Sequence, residues 1–275
     1  MSAAGRGTGW RDSDAMPRFA ANLTMLFTEY PFIERFDRAA AAGFEAVEFL
    51  FPYSEDVNEI KAALSRNGLT QVLFNLPAGD FAAGERGFAN DPARVNEFRD
   101  GVGRALEIAD LLGCRQINCL IGLNREDIPV DTQWETVLGN LYYSAETAKT
   151  AGVRQLVEPL NTFDTPNFLL TNTQQGIELI AESGSDNLFL QYDVYHAQRM
   201  EGNICSTIAK HAGGVIKHIQ IADSPARNEP GTGELHWPFI FETIDASGYD
   251  GWVSGEYRPK GATEDGLGWM GGSNG

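Results

Sequence analysis

Four apolar runs in this chain end in side chains able to do chemistry. Gln155-Leu156-Val157-Glu158-Pro159-Leu160-Asn161 runs straight into a carboxylate and closes on a proline. Asn187 to Asp193 repeats the pattern, Val215 to Ile221 carries Gln220 near its end, and Trp252 to Tyr257 carries Glu256. A carboxylate placed where a buried strand leaves the core is poorly solvated and needs hydrogen bonds or a cation. Taken alone, Glu158 also fits a strand-end acid paired with a neighbouring Arg. Four matching strand ends point further. In a barrel of parallel strands the C-terminal strand ends converge on one mouth, where such folds place their chemistry. Glu158, Asp193, Gln220 and Glu256 would then surround one point. Three carboxylates that close cannot all stay ionised without a cation between them. An all-oxygen set suits a hard divalent ion, Mg²⁺ or Mn²⁺. Glu158 and Glu256, flanking a bound substrate, could move a proton between adjacent carbons, one abstracting and the other delivering.

Further groups lie close to these in sequence. His196 follows Asp193 by three and would sit near the substrate as a donor or proton relay, or else bond a loop carbonyl. His218 precedes Gln220 by two and faces the same side of its strand, as a partner bracing the ligands or as a satisfied core histidine. His211 and His236 fall in helical or loop context and read as structural or solvent-facing. Arg227, in the loop 222–233, would bind a substrate carboxylate bidentately, or pair with Glu229. Arg258 and Lys260 add positive charge just past Glu256, enough for a local anion site in an acidic chain. Glu85 and Arg86 belong to the Gly-rich stretch 77–90, which reads as a functional loop closing over the substrate.

The elements that position these residues alternate regularly. Strand-like runs at 18–23, 46–51, 71–76 and 116–121 precede the four that carry the candidates. Helical patterns at 32–42, 57–67, 93–112, 132–151, 173–183, 204–212 and 237–247 lie between, most followed by a glycine where a helix should stop. Alternating strand–helix units imply a parallel sheet, and eight of them a closed (β/α)₈ TIM barrel. A doubly wound open sheet would want a GxGxxG loop after the first strand, and Leu23-Thr24-Met25-Leu26 offers none. Residues 258–275, Gly-rich at their end, are expected to drape or fray.

The chain's 275 residues suit one barrel, with residues 17–275 as the catalytic domain and 1–16, Gly- and Ala-rich, as a disordered leader. An apolar fraction of 43% allows a sizeable core. A net charge of -17 argues against nucleic acid or an anionic membrane surface as partner, since both need clustered Lys and Arg. No window approaches a membrane span. Cys114, Cys119 and Cys205 lack CxxC spacing and read as packed free thiols, in keeping with a reducing cytoplasm.

The motifs RFAANLTMLFTEYPFIERF, AVEFLFPY, NLPAGDFAAGERG, EFRDGV, INCLIG, EPLNTFDTPNF, QYDVYHAQRMEGN, HIQIADSPARNEPGTGEL and GEYRPKGATEDGLGWM carry a family resemblance over Pro17 to Met270. The chain resembles the hydroxypyruvate isomerases among the xylose-isomerase-like (β/α)₈ barrels, a superfamily that also holds ketose 3-epimerases and endonuclease IV-type repair enzymes. The resemblance implies reversible conversion of hydroxypyruvate to tartronate semialdehyde (2-hydroxy-3-oxopropanoate), in glyoxylate metabolism. It implies Glu158 and Glu256 as the acid/base pair, and Glu158, Asp193, Gln220 and Glu256 as ligands of a divalent metal ion. His196 and Arg227 fall where related epimerases hold substrate oxygens. Those epimerases carry His where this chain has Gln220, which favours the isomerase branch. The 2-oxo-tetronate isomerases, acting on a four-carbon acid, are the nearest alternative, and NLPAGDFAAGERG looks more like the hydroxypyruvate enzymes. The repair reading needs a His-rich zinc cluster and a basic groove, which four histidines and the net charge do not supply. The expected partner is a small anionic hydroxy-oxo acid, and the chain is compatible with a homo-oligomer.

Overall fold

Eight short strands pair in chain order, all parallel, and the first closes on the last: β1 (Arg18–Asn22), β2 (Ala46–Glu48), β3 (Thr70–Asn75), β4 (Gln116–Cys119), β5 (Arg154–Val157), β6 (Leu188–Asp193), β7 (Ile216–Ile221) and β8 (Trp252–Gly255). The computed structural model describes residues 16–271, so the expected leader lies outside the described residues except for Met16. Helices α1 (Glu34–Ala41), α2 (Val57–Asn67), α3 (Val95–Leu112), α4 (Val130–Thr150), α5 (Thr173–Ser183), α6 (Val194–Met200), α7 (Ile204–His211) and α8 (Trp237–Ala246) cover the outside. The closed (β/α)₈ barrel expected from the sequence is present. None of the described helices is long and apolar enough to cross a membrane.

The side-chain period of two divides the interior into two regions. Phe19, Ala21, Val47, Ile117, Val157, Ile219 and Val253 face outward and join the helices in the larger apolar core. Their neighbours in sequence face inward. Ala20, Ala46, Val72, Leu73 and Leu156 form a small apolar plug inside the barrel. Above that plug the inward positions become polar and stay fully buried, as Asn22, Glu48, Asn75, Asn118, Gln191, His218 and Gln220 show. The register explains why they meet: Asn22 pairs with Glu48, Gln191 with His218, and Asp193 with Gln220.

Local chemistry sets the element ends. The Asp56 side chain accepts the Asn58 N–H at 2.8 Å and starts α2, and Gly68 ends it with φ +65°, a left-handed conformation glycine adopts without strain.

Two expectations change. Helix α6 is absent from the sequence reading: it is only seven residues long and starts directly on Asp193, whose side chain caps it through the Tyr195 N–H at 2.8 Å. The end of the chain does not fray over the described residues. Thr263–Met270 forms a 3₁₀ helix where an eighth outer helix would otherwise follow β8. Trp269 is buried there, its ring 4.9 Å from Phe19 and its Nε1–H donating to the Tyr257 hydroxyl at 3.1 Å. Phe27 donates its backbone N–H to Thr263 Oγ1 at 2.7 Å, which ties the segment across the β8–β1 seam.

Candidate active site

Glu158 is the first residue past β5, Asp193 the last of β6 and Glu256 the first past β8. All three are buried. Asn118 Nδ2 donates to Glu158 Oε2 at 3.1 Å. Asn22 Nδ2 and Gln220 Nε2 donate to Glu256 Oε1 at 2.9 and 3.1 Å. The Arg227 guanidinium donates to Asp193 Oδ2 at 3.3 Å and to Glu256 Oε2. Arg227 therefore does not pair with Glu229; it lies among the acids.

Burial and mutual repulsion push these carboxyls toward their neutral forms. Burial, then the charges of Glu256 and Asp193, hold Glu158 well above the usual carboxylate range, against the pull of Arg227. Burial raises Glu256 to about 8; Arg227 opposes this, while Asp193 and Glu48 add to it. Asp193 is raised too, again by burial first, with Arg227 and the N–H groups of Tyr195 and His196 opposing.

Glu158, Asp193 and His196 each offer an atom within 4.8 Å of the others, a grouping able to hold a metal ion. The hydrogen bonds assign His196 a different part. Its Nδ1 receives the backbone N–H of Asn161 at 3.0 Å, and that group can only donate. Nδ1 thus carries the lone pair and Nε2 the proton, in a ring that burial keeps neutral well below the ordinary histidine value. Nε2 lies 3.5 Å from Asp193 Oδ2 and faces the site as a donor. Protonated on Nε2, His196 is suited to donate to a substrate oxygen and has no lone pair there for a cation. Three buried acids, each raised above its ordinary value, are a chemically fitting set for a hard divalent ion, and the fourth ligand expected from the sequence is an amide.

That amide belongs to Gln220. Its Nε2 faces Glu48 Oε1 at 2.7 Å as well as Glu256, and its Oε1 accepts from Gln191 Nε2 at 2.6 Å. The second lone pair of Oε1 is what Gln220 has to offer a cation.

Beneath this group lies a polar tier in which the sequence reading had His218 as a bracing partner but missed Glu48. Glu48 is fully buried and accepts three hydrogen bonds: His218 Nε2 at 2.6 Å, Gln220 Nε2 at 2.7 Å and Asn22 Nδ2 at 2.8 Å. Burial pushes the Glu48 carboxyl up, but His218, Gln220 and Asn22 together bring it below the usual value. His218 thus braces the site through Glu48, one layer down. The signal was an acid inside the apolar run AVEFLF, which a half-buried strand would not carry without partners.

The remaining candidates do not join the carboxyl group. Glu85 is taken up by Arg94 Nη1 at 2.5 Å and by the Asp80 N–H at 2.5 Å. Arg86 donates to the carbonyls of Phe81 and Glu85 and stacks over the Phe81 ring at 3.9 Å. Their loop instead walls a cavity of about 760 Å³ against Tyr53, Arg94 and Arg104. Lys260 is exposed, and its backbone N–H donates to Glu229 Oε2 at 3.0 Å. Arg258 is exposed and His236 is exposed, while His211 is half-buried. The three cysteines are free, two of them buried, as expected.

Known proteins agree with this architecture. The family model described as Xylose isomerase-like TIM barrel matches residues 36–271. The chain is 49% identical over 255 residues to a hydroxypyruvate isomerase of Escherichia coli (strain K12), covering 93% of this chain and 98% of that one. It is 48% identical over 255 residues to a 2-oxo-tetronate isomerase of Cupriavidus necator, with the same coverage. Among solved structures, one described as an AP endonuclease, family 2 from Brucella melitensis superposes with a TM-score of 0.91 at 44% identity, over 94% of this chain and 99% of the other. The chain belongs to the xylose isomerase-like TIM barrel family.

Proposed function

We propose that the protein is an isomerase that interconverts hydroxypyruvate and tartronate semialdehyde, with Glu158 and Glu256 as its acid/base pair. The observation that carries this reading is the pair itself: two buried carboxyls just past β5 and β8, Glu158 within 4.8 Å of Asp193 and Glu256 bridged to Asp193 by Arg227, each raised above its ordinary value. The relative from Escherichia coli supports the reaction. A four-carbon 2-oxo-tetronate is the second reading, supported by the relative from Cupriavidus necator. The chemistry is the same.

In the forward direction Glu158 takes a proton from C3 of hydroxypyruvate, and the electrons of that C–H bond form the C2–C3 double bond of an enediolate. Glu256 delivers a proton to C2, the O3 hydroxyl proton passes to O2, and an aldehyde remains at C3. A divalent ion, Mg²⁺ or Mn²⁺, bound by Glu158, Asp193, Glu256 and Gln220, would supply positive charge that favours ionised Glu158 and offsets the charge developing on the substrate oxygens. The His196 Nε2–H would hold one of those oxygens, and the Arg227 guanidinium the substrate carboxylate. The free thiols and the family favour glyoxylate-linked carbohydrate metabolism in a reducing cytoplasm.

Proton NMR of hydroxypyruvate mixed with the protein tests the proposal. The expected result is growth of tartronate semialdehyde signals with Mg²⁺ or Mn²⁺ and their suppression by chelator. Conversion of the four-carbon acid alone would move the reading to the second substrate, and turnover of neither acid would end it.

A further inference from the structure

The Arg227 side chain stands between the carboxylates a divalent ion would use. Its guanidinium donates to Asp193 Oδ2 and Glu256 Oε2 and lies near enough to Glu158 to pull that carboxyl's pKa down. A divalent ion binds carboxylate oxygens at about 2.0–2.6 Å, so it competes with the guanidinium for Asp193 Oδ2 and Glu256 Oε2 and is repelled by its charge. We propose that Arg227 is a built-in counter-ion of the acid cluster, displaced when a divalent ion binds and thereby released to the substrate's carboxylate. This inference rests on the metal reading given above.

Three observations support it. First, the Arg227 Nε–H is buried without an acceptor, so the guanidinium is not fully satisfied where it sits. Second, the backbone beneath it is fixed. The Arg227 N–H donates to the Asp223 carbonyl at 3.0 Å and its carbonyl accepts from Arg258 at 2.7 Å, in the left-handed conformation at φ +57°. Asp223 in turn gathers the N–H groups of Ser224, Gly231 and Leu235 and the Trp237 Nε1–H at 2.8–3.2 Å, clamping both sides of the loop. Release therefore needs side-chain rotation only. Third, the guanidinium already rides over the Tyr195 ring, 5.1 Å from its centroid, a face that can carry it as it leaves the acids. An order of binding follows: metal before acid, because a substrate carboxylate arriving first finds the guanidinium engaged.

The test is calorimetric titration of the chelator-stripped full chain with Mn²⁺, comparing the native protein with Arg227→Gln and Arg227→Lys. Arg227→Gln should bind Mn²⁺ at least tenfold more tightly, with Arg227→Lys between the two. The metal-free melting temperature of Arg227→Gln should fall below that of the native protein, and the difference should vanish at saturating Mn²⁺. In a Mn²⁺-loaded crystal the guanidinium should lie beyond about 4 Å, the ion-pair limit, from both Asp193 and Glu256. Equal or weaker Mn²⁺ binding by Arg227→Gln, or a loaded crystal with Arg227 still on both acids, overturns the displacement alone. No Mn²⁺ binding by any of the three proteins overturns the metal reading, and this inference with it.

Discussion

Replacing Glu48 with Leu should destabilise the protein by about 3–5 kcal/mol, because it unpairs buried donors on His218, Gln220 and Asn22 at about 1–3 kcal/mol for each group left unsatisfied. The structure shows where that loss falls. Glu48 accepts from His218, Gln220 and Asn22 at 2.6–2.8 Å. Asn22 and Gln220 keep a second acceptor in Glu256 Oε1, so each loses only part of its satisfaction. His218 has no such reserve: its Nδ1 is buried without a partner, and Nε2 would be orphaned as well. Most of the cost should therefore be coupled to His218. Urea unfolding at pH 7 of Glu48→Leu, His218→Leu and the double variant measures this as a double-mutant cycle. The double variant should cost clearly less than the sum, with a coupling of about 2 kcal/mol or more. Glu48→Leu should also lower the melting temperature by roughly 10 °C, at about 2–4 °C per kcal/mol for a chain of this size. A cost below about 1 kcal/mol, or strict additivity with His218→Leu, would show that the lower tier does not brace the site.

The acid cluster makes metal-free stability fall as pH rises. Burial lifts Glu256 from its ordinary 4.5 to about 8, so between those values the folded chain holds a proton that the unfolded chain has lost, and Glu158 shifts in the same direction. Glu256 alone removes at most about 1.4 kcal/mol per pH unit within that window, and Glu158 adds to the fall in the same direction. Melting curves of the chelator-stripped protein should drop from pH 5.5 to pH 8, and Mn²⁺ should flatten the trend; a rise over that range contradicts the assignment. Trp269→Ala should cost about 3–5 kcal/mol in urea, as for a buried core aromatic. A cost under 1 kcal/mol would mean that the terminal 3₁₀ segment does not seal the barrel.

Much of this was legible in the residues because barrel strands must be apolar on both faces. Helix α5 was placed at Thr173–Ser183 by its periodicity and by Gly184 after it, and Glu158 was marked as a site residue by ending such a run. What escaped were contacts with no local signature. Glu48 meets His218 across 170 residues, so nothing near either residue announces the pair. Glu85 was read as facing substrate because its loop is long, yet Arg94, nine residues on, claims its carboxylate. Residues 258–275 were expected to drape or fray because their end is Gly-rich, but over Thr263–Met270 Trp269 supplies enough apolar surface to hold the segment down as a 3₁₀ helix.

The central claim is that two carboxyls share the proton chemistry, Glu158 taking a proton from one carbon and Glu256 giving one to its neighbour. The direct measurement is deuterium incorporation into hydroxypyruvate and its product in D₂O, followed by NMR, for the native protein and for Glu158→Gln and Glu256→Gln. The native protein should place deuterium on carbon, and each variant should lose that exchange by a hundredfold or more, on the order of a positioned acid/base group's contribution. Exchange persisting at native rates in both variants would contradict the account.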